Sequence, residues 1–321
     1  MRKLILHNHQ SPGDIIMLTA AVRDLHAHYP GRFLTDVRTP CPALWENNPH
    51  ITPISSTDTE AKVIHCEYPL VHRSNQTPLH FIHGFARHLG EKLGLEIRPA
   101  KFHGDIWLSE AERSRPSQVA VATGSQRPYW IILAGGKNDF TIKWWETGRW
   151  QAVVDALAGQ VLFIQAGEAG HHHPPLHGVI DMRGKTDARK FVLLMAHAQG
   201  VVCPVTYAMH LAAAVEVIGR KDGRRPCVVV AGGREPSHWE AYPGHQFIHT
   251  QGALPCCEQG GCWKSRVAAL GDGDEKDNSL CSNVAGRLPR CMDMITPEEV
   301  VRRVRLYFDG GFARYFAQGT P

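Results

Sequence analysis

Short apolar runs alternate with amphipathic stretches of helical period along the whole chain. Residues 3–7 read as a buried strand that leads into the turn Ser11-Pro12-Gly13-Asp14. Ile15, Leu18, Val22 and Leu25 then step by three and four residues along one helix face, and Pro30-Gly31 ends that helix. Residues 33–37 and 62–66 are predicted strands and 81–93 a helix, a rhythm that predicts a parallel sheet covered on both faces. Residues 111–128 lack long apolar runs and carry Ser114, Pro116, Ser117, Gly124, Ser125 and Pro128, which places an interdomain hinge there. Beyond it the rhythm restarts, with strands at 129–134, 161–165, 200–203 and 227–230 and helices at 149–157, 188–198 and 208–217. Two successive α/β units predict two Rossmann-like domains facing across a cleft, over residues 1–124 and 125–295. The last helix starts at Thr296, where Thr296-Pro297-Glu298-Glu299 reads as a capping box with Pro at the first helical position. Its apolar face is Val300, Val301, Val304 and Phe308.

Composition narrows the class. Of 321 residues, 43% are hydrophobic and 21% charged, which excludes a disordered or fibrous chain. No apolar stretch is long enough to span a bilayer, and the polar His7-Asn8-His9-Gln10 follows the first apolar run too soon for a secretory segment. A cytoplasmic protein is expected. Lys plus Arg is 35 against 31 Asp plus Glu, a net charge of +4 that suits a pocket for an anionic ligand and does not demand nucleic acid. Nine cysteines in such a chain argue against a disulfide framework.

Candidate chemistry sits in four places. Asp14 lies in a turn between a strand and a helix, where a carboxylate serves either as helix cap or as general base toward a hydroxyl. Gly135-Gly136-Lys137 and, further on, Lys143-Trp144-Trp145 follow the first strand of the second unit. Glycines there admit backbone amides to a phosphate and lysine supplies charge, although a tight turn explains the pair equally. Thr206, Met209 and His210 open a helix of small residues whose N-terminus offers free amides to an anion, or simply a satisfied histidine. Cys257, Cys262, Cys281 and Cys291, with Cys256 as an alternative first ligand, are spaced to close a structural tetrahedral site for Zn or Fe; free thiols are the alternative. His171-His172-His173 reads as a solvated loop, and Trp130, Trp144, Trp145, Trp150 and Trp239 as core or cleft walls.

Taken together these segments resemble glycosyltransferase family 9, the heptosyltransferase family. The carriers are LILHNHQSPGDIIMLTAAVRDLHAHYPG, ILAGGKNDFTIKWWETGRWQAVVDAL and VTYAMHLAAAVEV, within a likeness running from residue 1 to about 308. The resemblance implies a GT-B fold whose C-terminal segment, 296–321, packs back on the N-terminal domain. It assigns acceptor binding to the first domain and nucleotide-sugar binding to the second. It implies inverting transfer of heptose from ADP-heptose with no catalytic metal. Asp14 would be the base and Lys143 the charge on the leaving diphosphate. Thr206, Met209, His210, Gly135 and Gly136 would hold the donor, and Glu168 its ribose. The family carries Asp-Ser/Thr-Gly five residues before the histidine, where this chain has Val205-Thr206-Tyr207 and so lacks that carboxylate. The cysteines are similar to those of the autotransporter heptosyltransferase branch, which carries a four-cysteine iron site; the acceptor stays open between protein, glycan and small molecule. Other readings are a nucleotide-sugar epimerase or hydrolase on the same fold, an assembly subunit, and a nucleic-acid module using Arg220-Lys221-Asp222-Gly223-Arg224-Arg225.

Overall fold

The computed structural model describes residues 1–67, 70–220, 225–273 and 277–309. The first unit comprises β1 (Arg2–His7), α1 (Pro12–His28), β2 (Phe33–Arg38), β3 (Lys62–His65), α2 (Phe81–Leu93), α3 (Glu110–Arg113) and α4 (Gln118–Thr123). Its sheet has the order β2-β1-β3 and is parallel throughout. The second unit comprises β4 (Tyr129–Ile132), α5 (Thr147–Ala156), β5 (Leu162–Gln165), β6 (Ile180–Asp181), α6 (Ala188–His197), β7 (Gly200–Pro204), α7 (Tyr207–Ala214), β8 (Cys227–Gly232), α8 (Ser237–Glu240) and β9 (His245–His249). Its parallel sheet runs β6-β5-β4-β7-β8-β9. The hairpin β10 (Val284–Ala285) and β11 (Leu288–Pro289), α9 (Arg290–Asp293) and α10 (Pro297–Arg305) complete the described chain. Both units are therefore the expected α/β layers with parallel sheets.

The helix period of α1 predicts one buried face, but every residue from Gly13 to Leu25 is buried. The reason is tertiary: α1 lies on its own sheet and α2 and is covered by α7 of the second unit. One apolar core thus runs from Leu4 and Leu6 through Met17 to Leu211 and Val229. The hinge segment is likewise engaged. Ile106 bridges to Val215, the Gln118 amide donates to the Lys190 carbonyl at 2.7 Å, and Arg189 holds Glu112 with two nitrogens at 2.7 and 2.6 Å.

The last helix corrects its expected placement. Over Pro297–Arg305, α10 packs on α5 and β8 of the second sheet rather than on the N-terminal domain. Val300, Val301 and Val304 complete an apolar layer with Trp130, Trp150 and Val228, which the first unit does not offer. Tyr307 is buried there, and Phe308 stays 44% exposed against the Trp130 ring. Only half of the capping box forms: Thr296 accepts from the Glu299 amide, while the Glu299 carboxylate turns to Arg302 and Arg303. Residues 310–321 lie outside the described residues.

Arg225 removes one support from the nucleic-acid reading. Its guanidinium is buried and donates to the carbonyls of Ala198, Ala212, Val215 and Glu216, stitching the approach to β8 to the ends of α6 and α7. Lys221–Arg224 lie outside the described residues. Arg225→Lys keeps the charge but reaches fewer of these carbonyls, so a loss of about 1–3 kcal/mol in denaturant unfolding is expected. Unfolding unchanged by this substitution would show that the guanidinium fork is not needed. Among the described residues no helix is long and apolar enough to cross a membrane.

Candidate active site

Because both sheets are parallel, the turns that follow their strands gather at strand carboxyl ends. After β1 comes Ser11, the N-cap of α1, with Pro12 and Gly13 in the first turn and Asp14 third in the helix. Asp14 therefore is not the cap itself. Gly13 is there for close approach, since a Cβ would meet His210 Cδ2 at 2.8 Å. The start of α1 thus rests on the His210 ring, and Lys137 Nζ donates to Ser11 Oγ at 3.0 Å from the second unit.

His210 sits in the second turn's reach of α7 and is buried. Burial first, and then the Lys143 charge, hold its imidazole down at about 3, so it is neutral and carries one N–H. Tyr242 Oη lies 2.6 Å from His210 Nδ1 and 3.1 Å from Met17 Sδ. Imidazole nitrogen is a far stronger acceptor than thioether sulfur, which assigns the hydroxyl proton to Nδ1 and the ring's own N–H to Nε2, facing Gly13. Thr206 is the N-cap of α7, and its side chain makes no capping bond. Met209 points the other way, fully buried in the core, so its side chain is a packing residue and not a wall of the site.

Lys143 ends a short 3-10 turn, and its Nζ lies 2.7 Å from Glu235 Oε1. Arg234 pairs with the same oxygen, while Glu235 Oε2 is buried without a hydrogen-bond partner. Glu240, on α8, is also buried with Oε2 unpartnered. Burial, and then the Glu235 charge, push its carboxyl up to about 8; Asp14 adds to the same shift. Asp14 also raises the Tyr242 hydroxyl, after burial and Glu240. The base candidate of the first unit and the cation-rich turn of the second therefore share one electrostatic neighbourhood. Glu235, Glu240 and Tyr242 were not singled out in the sequence. The available signal was Gly232-Gly233-Arg234-Glu235 directly after a buried strand, the same pattern that flagged Gly135-Gly136-Lys137.

Glu240 makes stability depend on pH. Its folded value is raised, so the native state holds a proton that the unfolded chain releases above its ordinary carboxylate range. This term is absent in acid, costs stability as pH rises toward about 8, and is constant beyond. Denaturant midpoints of Glu240→Gln against the parent should diverge across that window, with a slope difference of at most about 1.4 kcal/mol per pH unit. Parallel curves would mean that Glu240 ionises normally.

The remaining candidates flank this centre. Gly136 N–H donates to the His172 carbonyl at 2.9 Å, and a Cβ on Gly135 would sit 1.9 Å from that oxygen. Gly135 thus accommodates a neighbouring backbone, and the Gly136 amide is already spent. The histidine loop is only partly solvated: all three rings are half-buried, His172 stacks on Trp144 with centroids 3.8 Å apart, and burial lowers His173 to about 4. Glu168 is exposed at the rim beyond β5, 3.3 Å from His171 Nδ1. Trp130, Trp145, Trp150 and Trp239 are core, leaving Trp144 half-exposed.

The cysteines converge on the end of β8. A Cβ on Gly233 would lie 3.0 Å from Cys257 Sγ and 3.4 Å from Cys291 Cβ, and the Cys262 amide donates to the Gly233 carbonyl. Cys291 feels Cys262, Cys281 and Cys257, and burial pushes its thiol up to about 12. Among the described residues no three of these sulfurs stand within ligating distance of one another. The loop also docks across the units: Asn75 bonds Gly261 and Trp263.

The family model Glycosyltransferase family 9 (heptosyltransferase) matches residues 85–242, a span that holds Lys143, His210, Glu235 and Glu240. Among solved structures, the chain is similar to a family 9 glycosyl transferase from Veillonella parvula at 13% identity and TM-score 0.65, covering 95% of this chain and 96% of that one. It is similar to ADP-heptose LPS heptosyltransferase II of E. coli at 14% identity and TM-score 0.61, covering 98% and 99%. The iron-containing dodecameric heptosyltransferase TibC from E. coli, solved with ADP-D-beta-D-heptose, aligns at 19% identity and TM-score 0.63 over 98% of this chain and 76% of that one. Among curated proteins none matches. The two facing α/β units are the GT-B fold, and the enzyme is a glycosyltransferase. Its central segment is a domain of glycosyltransferase family 9.

Proposed function

We propose that the chain is an inverting glycosyltransferase that transfers heptose from ADP-heptose to an acceptor hydroxyl, with Asp14 as general base. The observation that carries this reading is the packing of the turn that bears Asp14 against the second unit, with Gly13 on the His210 ring and Lys137 bonded to Ser11. The first domain, 1–124, binds the acceptor, and 125–295 binds the nucleotide sugar. The Asp14 carboxylate takes the acceptor proton as its oxygen attacks the anomeric carbon. The bond to the diphosphate breaks on the opposite face, and that oxygen keeps the electron pair. Lys143, with Lys137 and Arg234 nearby, offsets the charge that develops on the diphosphate. Protonated Glu240 adds no opposing charge, so three cations face the carboxylates of Asp14 and Glu235. Thr206, His210 Nε2–H and the opening amides of α7 suit the phosphates and sugar, with Glu168 toward the ribose.

A structural metal also suits the chemistry of the cysteine loop, whose thiols are near enough to act on Cys291 although no three of them stand within ligating distance among the described residues. Cys257, Cys262, Cys281 and Cys291 would hold Zn or Fe once the thiols deprotonate and draw together, fixing the loop that docks on Asn75. Such a closed site takes no part in the transfer.

Calorimetry on protein of measured zinc and iron content, comparing ADP-heptose, ADP-glucose, UDP-glucose and GDP-mannose, tests the donor. Selective binding of ADP-heptose is expected despite Val205. Selective binding of another nucleotide sugar would overturn the donor and keep the fold. Turnover of sugar nucleotide without any acceptor would favour the epimerase or hydrolase reading.

A further inference from the structure

We propose that His7, His9 and His65 form a binding site for one divalent transition metal ion of the zinc class, separate from the cysteine loop. One ring nitrogen from each histidine lies within 4.8 Å of the other two, and no other such group of three ligands occurs among the described residues. The backbone builds this convergence. In the parallel pairing of β1 with β3, His7 and His65 are register partners, so their side chains leave the sheet on the same face, with centroids 5.2 Å apart. His9 follows two residues later, its ring 6.0 Å from that of His7.

The turn that presents His9 is fixed. Asn8 between them is fully buried, donates its backbone N–H to the Arg38 carbonyl at 3.0 Å, and accepts the Gln10 N–H on Oδ1 at 2.9 Å. The His65 carbonyl accepts from His88 Nε2 at 2.8 Å, and the His7 carbonyl accepts the Cys66 amide at 2.7 Å. The peptide groups around the trio are thus occupied, while no protein hydrogen bond reaches any of its rings among the described residues. Arg38, the cation that His7 senses, is engaged by the Asp36 carboxylate and the Ile54 carbonyl.

Three neutral imidazoles without a carboxylate or thiolate are a donor set for Zn, Ni, Co or Cu and a poor one for Mg or Ca. Three protein ligands leave a position open on a tetrahedral ion, for water or an anionic oxygen. His9 and His65 are exposed, so an ion has an entry path. The site stands at the carboxyl ends of β1 and β3, directly ahead of Ser11–Asp14, and the bound ion cross-links the two strands and that turn. No established role of the chain requires it.

Titration of the full chain with Co²⁺ and Zn²⁺ tests this. The expected result is a Co²⁺ equivalent with nitrogen and oxygen ligation, separate from any equivalent that shows thiolate charge transfer at the cysteine loop. His9→Gln and His65→Gln should each weaken it by about tenfold or more. Cys262→Ser and Cys281→Ser should leave it unchanged. In the Cys262→Ser, Cys281→Ser double variant, stoichiometric Zn²⁺ should shift the imidazole NMR signals of His7, His9 and His65 together. Those signals left unmoved, or equal affinity in both histidine variants, would overturn the proposal; so would loss of the ion in the cysteine variants alone.

Discussion

Replacing Asp14 with Asn lowers turnover by a factor of about 10²–10⁴ and leaves donor affinity within about threefold. Asn keeps the shape of the side chain and its place in the first turn of α1, but it cannot take a proton at neutral pH. The fold should tolerate the change. Ser11 holds the N-cap position and is untouched, and the favourable carboxylate–dipole term that the substitution removes is about 0.3–1 kcal/mol. The variant therefore separates chemistry from folding and from donor binding, because the donor is assigned to groups of the second unit. Steady-state rates with a fixed acceptor, alongside calorimetry with ADP-heptose, make the check. Undiminished turnover would return Asp14 to a purely structural place in the helix.

This prediction also marks how far sequence reading carries. The strand–turn–helix around Asp14 was legible because its apolar steps of three and four residues are local, and 81–93 matches α2 residue for residue. The two-residue β6 is too short for any period, and β9, His-Gln-Phe-Ile-His, has too few apolar positions to reveal one. Residues that owe their character to tertiary burial were invisible. Met209 and His210 are neighbours on one short helix, yet one faces the core and the other Gly13. Glu240 reads as an ordinary surface carboxylate until the loss of water, and then Glu235, raise it. Gly135 does mark a close approach, but the approaching group is the His172 backbone, and at Gly136 a Cβ would meet nothing within 4 Å. The His7–His9–His65 trio needs the β1–β3 pairing before its members meet.

Lys143 carries the second large effect, and its partner complicates the reading. Lys143→Ala should weaken donor binding by about tenfold or more and slow turnover by about 10²–10³, since a cation aimed at the leaving diphosphate stabilises charge that grows as the bond breaks. The same substitution leaves Glu235, only 1% exposed along its side chain, with Arg234 as its remaining cation. An under-compensated buried charge destabilises the fold, so lost activity in the single variant has two sources. Adding Glu235→Gln removes that charge and should restore much of the unfolding midpoint. It supplies no cation, so turnover of the double variant should stay low. Turnover that recovers with stability would mean that Lys143 serves Glu235 alone, and the charge on the diphosphate would then fall to Lys137 and Arg234. The stoichiometry at the mouth favours the catalytic role. Lys143 is about one quarter exposed along its side chain while its partner Glu235 is sealed, so a ligand can reach the lysine but not the carboxylate that holds it.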